Sequence, residues 1–146
     1  MFSKSDLFSL LRLYASNKTL LEIYYSLYDK LDGEDGEFQK NELQSRIAMR
    51  EKFRLELILC IEENFIEKED SFIDKVSVLS FPFLTELEIA IPNSLYPDTW
   101  DRCYEHEVKN LNKYYNTLFS PSLPRKISDL LMHQKDGIEK NILRYL

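Results

Sequence analysis

Glycine and proline, the residues that most favour tight turns, are scarce in this chain: its 146 residues include only three glycines and five prolines. All-β proteins need many such turns, so this scarcity argues against a sandwich or barrel and favours long helices. Four segments carry apolar residues at helical spacing and predict helices at about residues 5–31, 37–67, 98–119 and 124–145. The length and the 44% apolar content suit a single domain over residues 1–146.

The chain also lacks a net positive charge and long apolar runs. The formal net charge of −6 argues against a nucleic acid partner, because a phosphate backbone requires clustered lysine and arginine. No apolar run approaches the roughly 18 residues that span a bilayer, and the N-terminal pattern with Arg12 and Lys18 is not that of a signal peptide. We therefore expect a cytoplasmic protein without a membrane partner, in which Cys60 and Cys103 are reduced and buried.

The connections predict how the helices are arranged. The short polar loop at Asp32–Gly36 makes the first two helices antiparallel neighbours, and the turn at Ser120–Pro124 does the same for the last two. Within the segment 72–97 between the hairpins, apolar residues from Phe81 to Ile91 alternate with Pro82, Glu86 and Glu88, which slightly favours an extended segment, although a short helix from Pro82 also fits. We expect an all-α, ferritin-like four-helix bundle: two antiparallel hairpins joined by one long crossover.

The order of residues within the hairpins resembles that of a bacterial ferritin-like family of unknown function. In the second hairpin the resemblance is carried by Cys103-Tyr104-Glu105-His106-Glu107, Leu111, Tyr114, Leu118, Leu130, Gln134 and Ile138. In the first it is carried by Leu10-Leu11, Ser16-Asn17, Arg50, Phe53 and Leu57. The resemblance covers about two thirds of the chain. It implies a four-helix bundle and no particular activity.

A dimetal site of the ferritin type is not expected. Such sites take a glutamate from each of two helices and a Glu-x-x-His motif from each of the other two. This chain has no Glu-x-x-His, and its two histidines, His106 and His133, lie off the predicted apolar stripes. We predict no cofactor, and we keep Glu107 and Glu22 as weak candidates for a residual metal site, with Glu22 at the edge of its stripe.

Polar residues nevertheless lie on the stripes that should face the core. They are Arg50 and Arg54 on the second helix, Glu107 on the third and Gln134 on the fourth. A buried carboxylate without a partner costs several kcal/mol, and guanidinium is its natural counter-charge. We predict that these four residues form a buried polar layer, in which hydrogen bonds among Arg50, Glu107 and Gln134 fix the helix register.

The sequence leaves the function open. It has no glycine-rich phosphate loop, no Ser-His-Asp spacing and no nucleophile elbow, so whether it is an enzyme stays uncertain. We expect a non-enzymatic interaction or assembly module that binds a second copy or another protein, and Phe72, Phe81 and Phe83 either dock a partner or cover the bundle. The alternatives are a metal-binding ferritin-like protein with an oxygen or stress-related role, and an acidic inhibitor or immunity-type protein.

Overall fold

The computed structural model describes residues 3–30, 37–65 and 99–143. These residues form the helices α1 (Lys4–Lys30), α2 (Glu37–Phe65), α3 (Thr99–Leu118) and α4 (Arg125–Leu143), and no strand occurs among them. The predicted all-α four-helix bundle is therefore confirmed, and the three helix ends that lie inside the described ranges, at Lys4, Leu118 and Arg125, are each one residue from their predicted place. The loop at 32–36 and the segment 72–97, with its three phenylalanines, lie outside the described residues.

Side-chain hydrogen bonds between helices give the helix directions. Gln44 donates to the Tyr28 hydroxyl over 3.0 Å, and Arg50 donates to the Asn17 amide oxygen over 2.6 Å, so residue numbers rise along α2 as they fall along α1. The same reversal relates α1 to α3 and α2 to α4, through the pairs Tyr24–Glu107, Asp6–Ser120, Glu63–Lys126 and Met49–Asn141. Each of these pairs of neighbours is antiparallel, whereas α2 and α3 run in the same direction.

The four helices close a ring in which the neighbours are α1–α2, α1–α3, α3–α4 and α2–α4. The last of these pairs is the most loosely packed, and two surface grooves lie between its helices. Leu59 lines one of the grooves, and Lys52 lines the other. This looser packing distinguishes the α2–α4 side from the tightly paired α1–α2 side.

The apolar core is divided into two clusters. The larger contains Leu10, Leu11, Leu13, Phe53, Leu57, Cys60, Ile61, Tyr114, Leu123, Ile127, Leu131 and Ile138. The smaller contains Leu20, Ile23, Tyr24, Leu27, Leu43 and Cys103. On each of α1, α2 and α3, buried polar residues lie between the members of the two clusters, so polar side chains separate the two apolar clusters.

A network of hydrogen bonds also fastens the start of α1 to the turn between α3 and α4. The Ser3 hydroxyl accepts from the Asp6 backbone N–H over 3.1 Å and caps the helix. The Asp6 carboxylate in turn accepts from the hydroxyls of Ser120 and Ser122, over 2.6 and 2.5 Å. Asp6 is only 1% exposed, so one carboxylate holds two distant parts of the chain together.

Candidate functional site

The centre of the bundle holds an ion pair between Arg50 of α2 and Glu107 of α3. Neither side chain is exposed, and Nη2 of the arginine donates to Oε2 of the glutamate. The Tyr24 hydroxyl donates to the other carboxylate oxygen. Arg50 Nη1 donates to the side-chain oxygens of Asn17 and Asn110 over 2.6 and 2.7 Å. The two buried charges thus neutralise each other, and neighbouring polar groups bond both carboxylate oxygens and both terminal nitrogens of the guanidinium, while Arg50 Nε has no hydrogen-bond partner.

Helical spacing explains why these side chains meet. Arg50 lies seven residues after Leu43 and seven before Leu57, both of which are buried, so the three share one face of α2. Glu107 lies four residues after Cys103 and seven before Tyr114 on the buried face of α3. The two charged residues therefore project into the core because of their positions on apolar faces.

A second set of hydrogen bonds continues from the ion pair toward α4. The Asn17 amide donates to the Tyr114 hydroxyl over 3.0 Å, and that hydroxyl donates to Gln134 Oε1 over 2.6 Å. Gln134 Nε2 then donates to Glu56 Oε1 over 3.2 Å and to the Phe53 carbonyl oxygen over 3.3 Å. Glu56 is only partly buried and lines one of the surface grooves, so the network reaches the protein surface there.

We call this network the polar layer. Its members are Ser16, Asn17, Tyr24, Arg50, Glu56, Glu107, Asn110, Tyr114 and Gln134, and all four helices contribute to it. Burial raises the pKa of Tyr114 well above its ordinary range, although the nearby Arg50 charge opposes this rise. The Tyr114 hydroxyl is therefore neutral at physiological pH and serves the layer as a hydrogen-bond donor and acceptor.

Three of the four residues predicted for a buried layer, namely Arg50, Glu107 and Gln134, are fully buried members of the polar layer. The assignment of Arg54 to that layer is wrong. Its side chain is 30% exposed and binds Glu51 over 3.0 Å, beside Tyr14. Four residues of helix advance by about 400°, so Arg54 is rotated by about 40° from Arg50, toward the crease with α1.

The two residues kept as candidate metal ligands are not brought together. Both carboxylate oxygens of Glu107 accept hydrogen bonds within the polar layer, whereas the Glu22 side chain is exposed. Tyr24 faces Glu107, and two residues of helix turn the chain by about 200°, so Glu22 points away from the bundle axis. His106 is partly buried and His133 is exposed. Within the described ranges, no group of three or more His, Cys, Asp or Glu residues is arranged to hold a metal ion.

Six of the nine members of the polar layer were not assigned to it from the sequence, and Tyr24, Asn110 and Asn17 show why. The apolar spacing of the first predicted helix also places Tyr25 on the face toward the core, but Tyr25 is 46% exposed and Tyr24 is the buried residue instead. Tyr24 lies four residues after Leu20 and three before Leu27, a spacing that identifies the buried side. Asn110 is also buried, and Asn17, which lies at the margin of the predicted apolar stripe, is fully buried and bonds both Arg50 and Tyr114. Because asparagine is usually a surface residue, its type gave no reason to place it in a core.

The cysteines behave as core residues. Both Cys60 and Cys103 are buried, as the sequence predicted, and they do not form a disulfide with each other. Burial, together with the charge of Glu63, raises the pKa of the Cys60 thiol to about 11. Since the thiolate is the nucleophile, this thiol is a poor candidate for covalent chemistry near neutral pH.

The surface between α2 and α4 offers two grooves and an apolar stripe. One groove has a volume of about 480 Å³ and is lined by Ala48, Met49, Lys52, Phe53, His133, Asp136, Gly137 and Lys140. The other, of about 250 Å³, is lined by Glu56, Leu59, Cys60, Glu63, Asn64, Lys126, Ile127 and Leu130. Leu59, which lines the smaller groove, is 54% exposed, and Leu55, one helical turn before it on α2, is 51% exposed.

Comparison with known proteins adds no assignment. The chain matches no family model, no curated protein and no solved structure. In the part of the chain that the structure describes, no helix combines the length and the apolar character needed to cross a membrane.

Proposed function

We propose that this chain is a non-enzymatic protein-interaction module, in which the polar layer fixes the helix packing and the outside of α2 binds another protein. The observation that carries the proposal is the pair of exposed leucines, Leu55 and Leu59, beside the grooves between α2 and α4. The interior supplies the rigid support, and the outer side of α2 supplies the contact.

The polar layer supports a structural role for the interior. Glu107 and Arg50 neutralise each other in an ion pair. The side-chain amides of Asn17, Asn110 and Gln134 are hydrogen-bonded within the layer. Each bond is available in only one register of the helices, because sliding a helix by one turn displaces a donor by about 5.4 Å. Buried polar groups of this kind specify one packing arrangement.

The outside of α2 carries a regular stripe that we call the α2 outer seam. It consists of Ala48, Lys52, Leu55, Leu59 and Glu62, at spacings of four and three residues. A helix stripe with this repeat packs well against another helix, because side chains at such positions lie along one line. A single exposed leucine is ordinary, but two on adjacent turns form a continuous apolar strip. Burying their exposed halves would contribute about 2 kcal/mol, which suits a reversible contact.

Two broader parts of the proposal concern the type of bundle and its location. The parallel direction of α2 and α3 supports the likeness to ferritin-like bundles, whose two hairpins are joined by one long crossover. The two buried cysteines without a disulfide support the cytoplasmic location expected from the sequence.

Site-specific photocrosslinking in the cells that make the protein tests the proposed function. A photoreactive phenylalanine analogue replaces Leu55 in one variant and Asn112, an exposed residue on α3, in the control. We expect a discrete adduct of higher mass from position 55 and none from position 112. No adduct from position 55, or equal adducts from both positions, would refute the proposal. Elemental analysis of protein purified without chelators is the companion test, since stoichiometric iron or manganese would overturn a non-enzymatic role.

A further inference from the structure

The α2 outer seam is self-complementary. We propose that its partner is a second copy of this chain, packed with its α2 antiparallel across a two-fold axis at the level of residue 57. This inference rests on the proposed function and identifies the partner. When one copy is reversed against the other about residue 57, leucine meets leucine and lysine meets glutamate over residues 52–62 of the seam, and Ala48 lies beyond this stretch.

The two-fold axis pairs the apolar residues of the seam with each other. Leu55 of one copy lies opposite Leu59 of the second copy, and Leu59 of the first lies opposite Leu55 of the second. Each leucine is about half exposed in the isolated chain, so the pairing covers apolar surface that is otherwise in water. A register shifted by one turn would place one of these leucines against a charged side chain.

The same axis also pairs opposite charges. Lys52 is exposed at one end of the seam and Glu62 is partly exposed at the other, so each lysine lies opposite a glutamate of the second copy. Because a two-fold contact is isologous, this ion pair occurs twice. Complementary charge fixes the register and orientation of a contact more than it adds affinity.

The two grooves that flank the seam carry opposite net charges. The larger groove is lined by Lys52 and Lys140 as well as Asp136, and the smaller by Glu56 and Glu63 as well as Lys126. Antiparallel packing brings the groove with more cations in one copy near the groove with more carboxylates in the other. Since one surface supplies both halves of the contact, the assembly closes as a dimer and does not extend into fibres.

The size of the contact sets the strength that we expect. A single helical stripe and its groove margins bury less surface than the roughly 1,200–2,000 Å² of a stable complex. We therefore expect a reversible dimer with a Kd of about 10 µM, so that monomer and dimer coexist over an accessible concentration range.

Charge reversal with rescue, followed by sedimentation equilibrium from dilute to concentrated protein, tests the inference. Lys52→Glu places two glutamates opposite each other, and Glu62→Lys places two lysines opposite each other, so each variant should weaken dimerisation about tenfold. The double variant Lys52→Glu/Glu62→Lys reverses both partners and should restore the Kd to within about threefold of the unmodified protein. The controls Lys109→Glu and Glu105→Lys make the same charge changes on exposed positions of α3 and should leave the Kd unchanged.

A chain that stays monomeric at every concentration, or a double variant that fails to recover, would overturn the antiparallel dimer. Circular dichroism melting shows that each variant is folded, and Leu55→Glu provides a second disruption that is independent of the charge pairs. The crosslinking experiment separates this failure from that of the proposed function. An adduct of twice the chain mass supports the dimer, an adduct of another mass supports a different protein partner and excludes the dimer, and no adduct refutes both.

Discussion

Arg50 of α2 and Glu107 of α3 form an ion pair in which neither side chain is exposed. Such a pair contributes less net stability than its charges suggest, because both ions have lost their hydration. Its larger effect is to penalise any structure in which only one of the two charges remains buried. This asymmetry makes the pair a means of specifying which helices meet and in what register.

Removing one member of the pair should therefore lower the free energy of unfolding far more than replacing both members with apolar residues. We expect Arg50→Met or Glu107→Leu alone to lower the free energy of unfolding by about 3–5 kcal/mol, since each leaves a buried charge without its partner. The double variant should be more stable than the sum of the two losses predicts, by about 2 kcal/mol or more. Urea denaturation of the three variants and the unmodified chain measures this coupling. Additive losses would show that the ion pair has no specifying role.

The Tyr114 hydroxyl is predicted to be essential to the link between Asn17 and Gln134. Tyr114→Phe removes one group that both donates and accepts, and it leaves two buried amides without that partner, so we expect a loss of about 1–3 kcal/mol in the free energy of unfolding. Tyr25→Phe is the matched control, because the Tyr25 hydroxyl bonds Glu51 at the exposed surface. The control should show no measurable change, and equal losses in both variants would contradict this account.

Stability should fall in acid because of Asp6. Burial alone would raise the pKa of Asp6, but hydrogen bonds from Ser120, Ser122 and Ser3 outweigh it and hold the pKa below its ordinary value of 3.8. The stabilisation from Asp6 is therefore complete above about pH 5 and is lost as the pH falls through the folded-state pKa.

Comparing the unmodified chain with Asp6→Ala measures this contribution. We expect the variant to be about 1–2 kcal/mol less stable at pH 7, and the difference to shrink below pH 4. The Ser120→Ala/Ser122→Ala variant keeps the carboxylate but should lose most of the same pH dependence. A stability difference that stays constant from pH 7 to pH 3 would exclude Asp6 as the cause.

Gly137 should tolerate a methyl group only if Phe53 moves. A Cβ added at Gly137 would lie 3.1 Å from Cζ of the Phe53 ring, closer than an ordinary contact. Alanine in a helix interior is about 1 kcal/mol more favourable than glycine, so the gain and the crowding oppose each other. We expect Gly137→Ala to stabilise Phe53→Leu protein by about 1 kcal/mol and the unmodified chain by less. Thermal melts of the four proteins test this, and an equal gain in both backgrounds would contradict the steric account.

The fold was predictable because the helical spacing of apolar residues and the positions of the turn-forming residues indicate the same four helices. The scarcity of glycine inside the helices and the apolar spacing in all four segments point to the same answer, and the helix ends at Lys4, Leu118 and Arg125 differ from it by one residue each. The pairing of Arg50 with Glu107 and the burial of Gln134 could also be anticipated, since each shares a helix face with buried apolar residues. The predicted direct bond from Gln134 to this pair is wrong, because Gln134 is linked to Arg50 only through Tyr114 and Asn17.

The misplaced residues have a common physical cause. Tyr25 and Arg54 lie at the edges of their apolar stripes, where about 40° of rotation decides between the core and the surface. The sequence gives the face of a helix but not how closely each neighbour covers its edges. Asn110 was missed for another reason: asparagine becomes a core residue only when a partner such as Arg50 is present, and that partner is on a different helix.

The division of the core by the polar layer also affects how the protein comes apart. The smaller apolar cluster takes its buried members from α1, α2 and α3 alone, whereas the larger one also includes residues of α4. Cooperativity between the two ends must therefore pass through hydrogen bonds and the helix backbones, not through continuous hydrocarbon. Amide protons around Leu27 and Leu43 should exchange with solvent through partial opening of the bundle. Those around Leu131 should exchange only when the whole molecule unfolds.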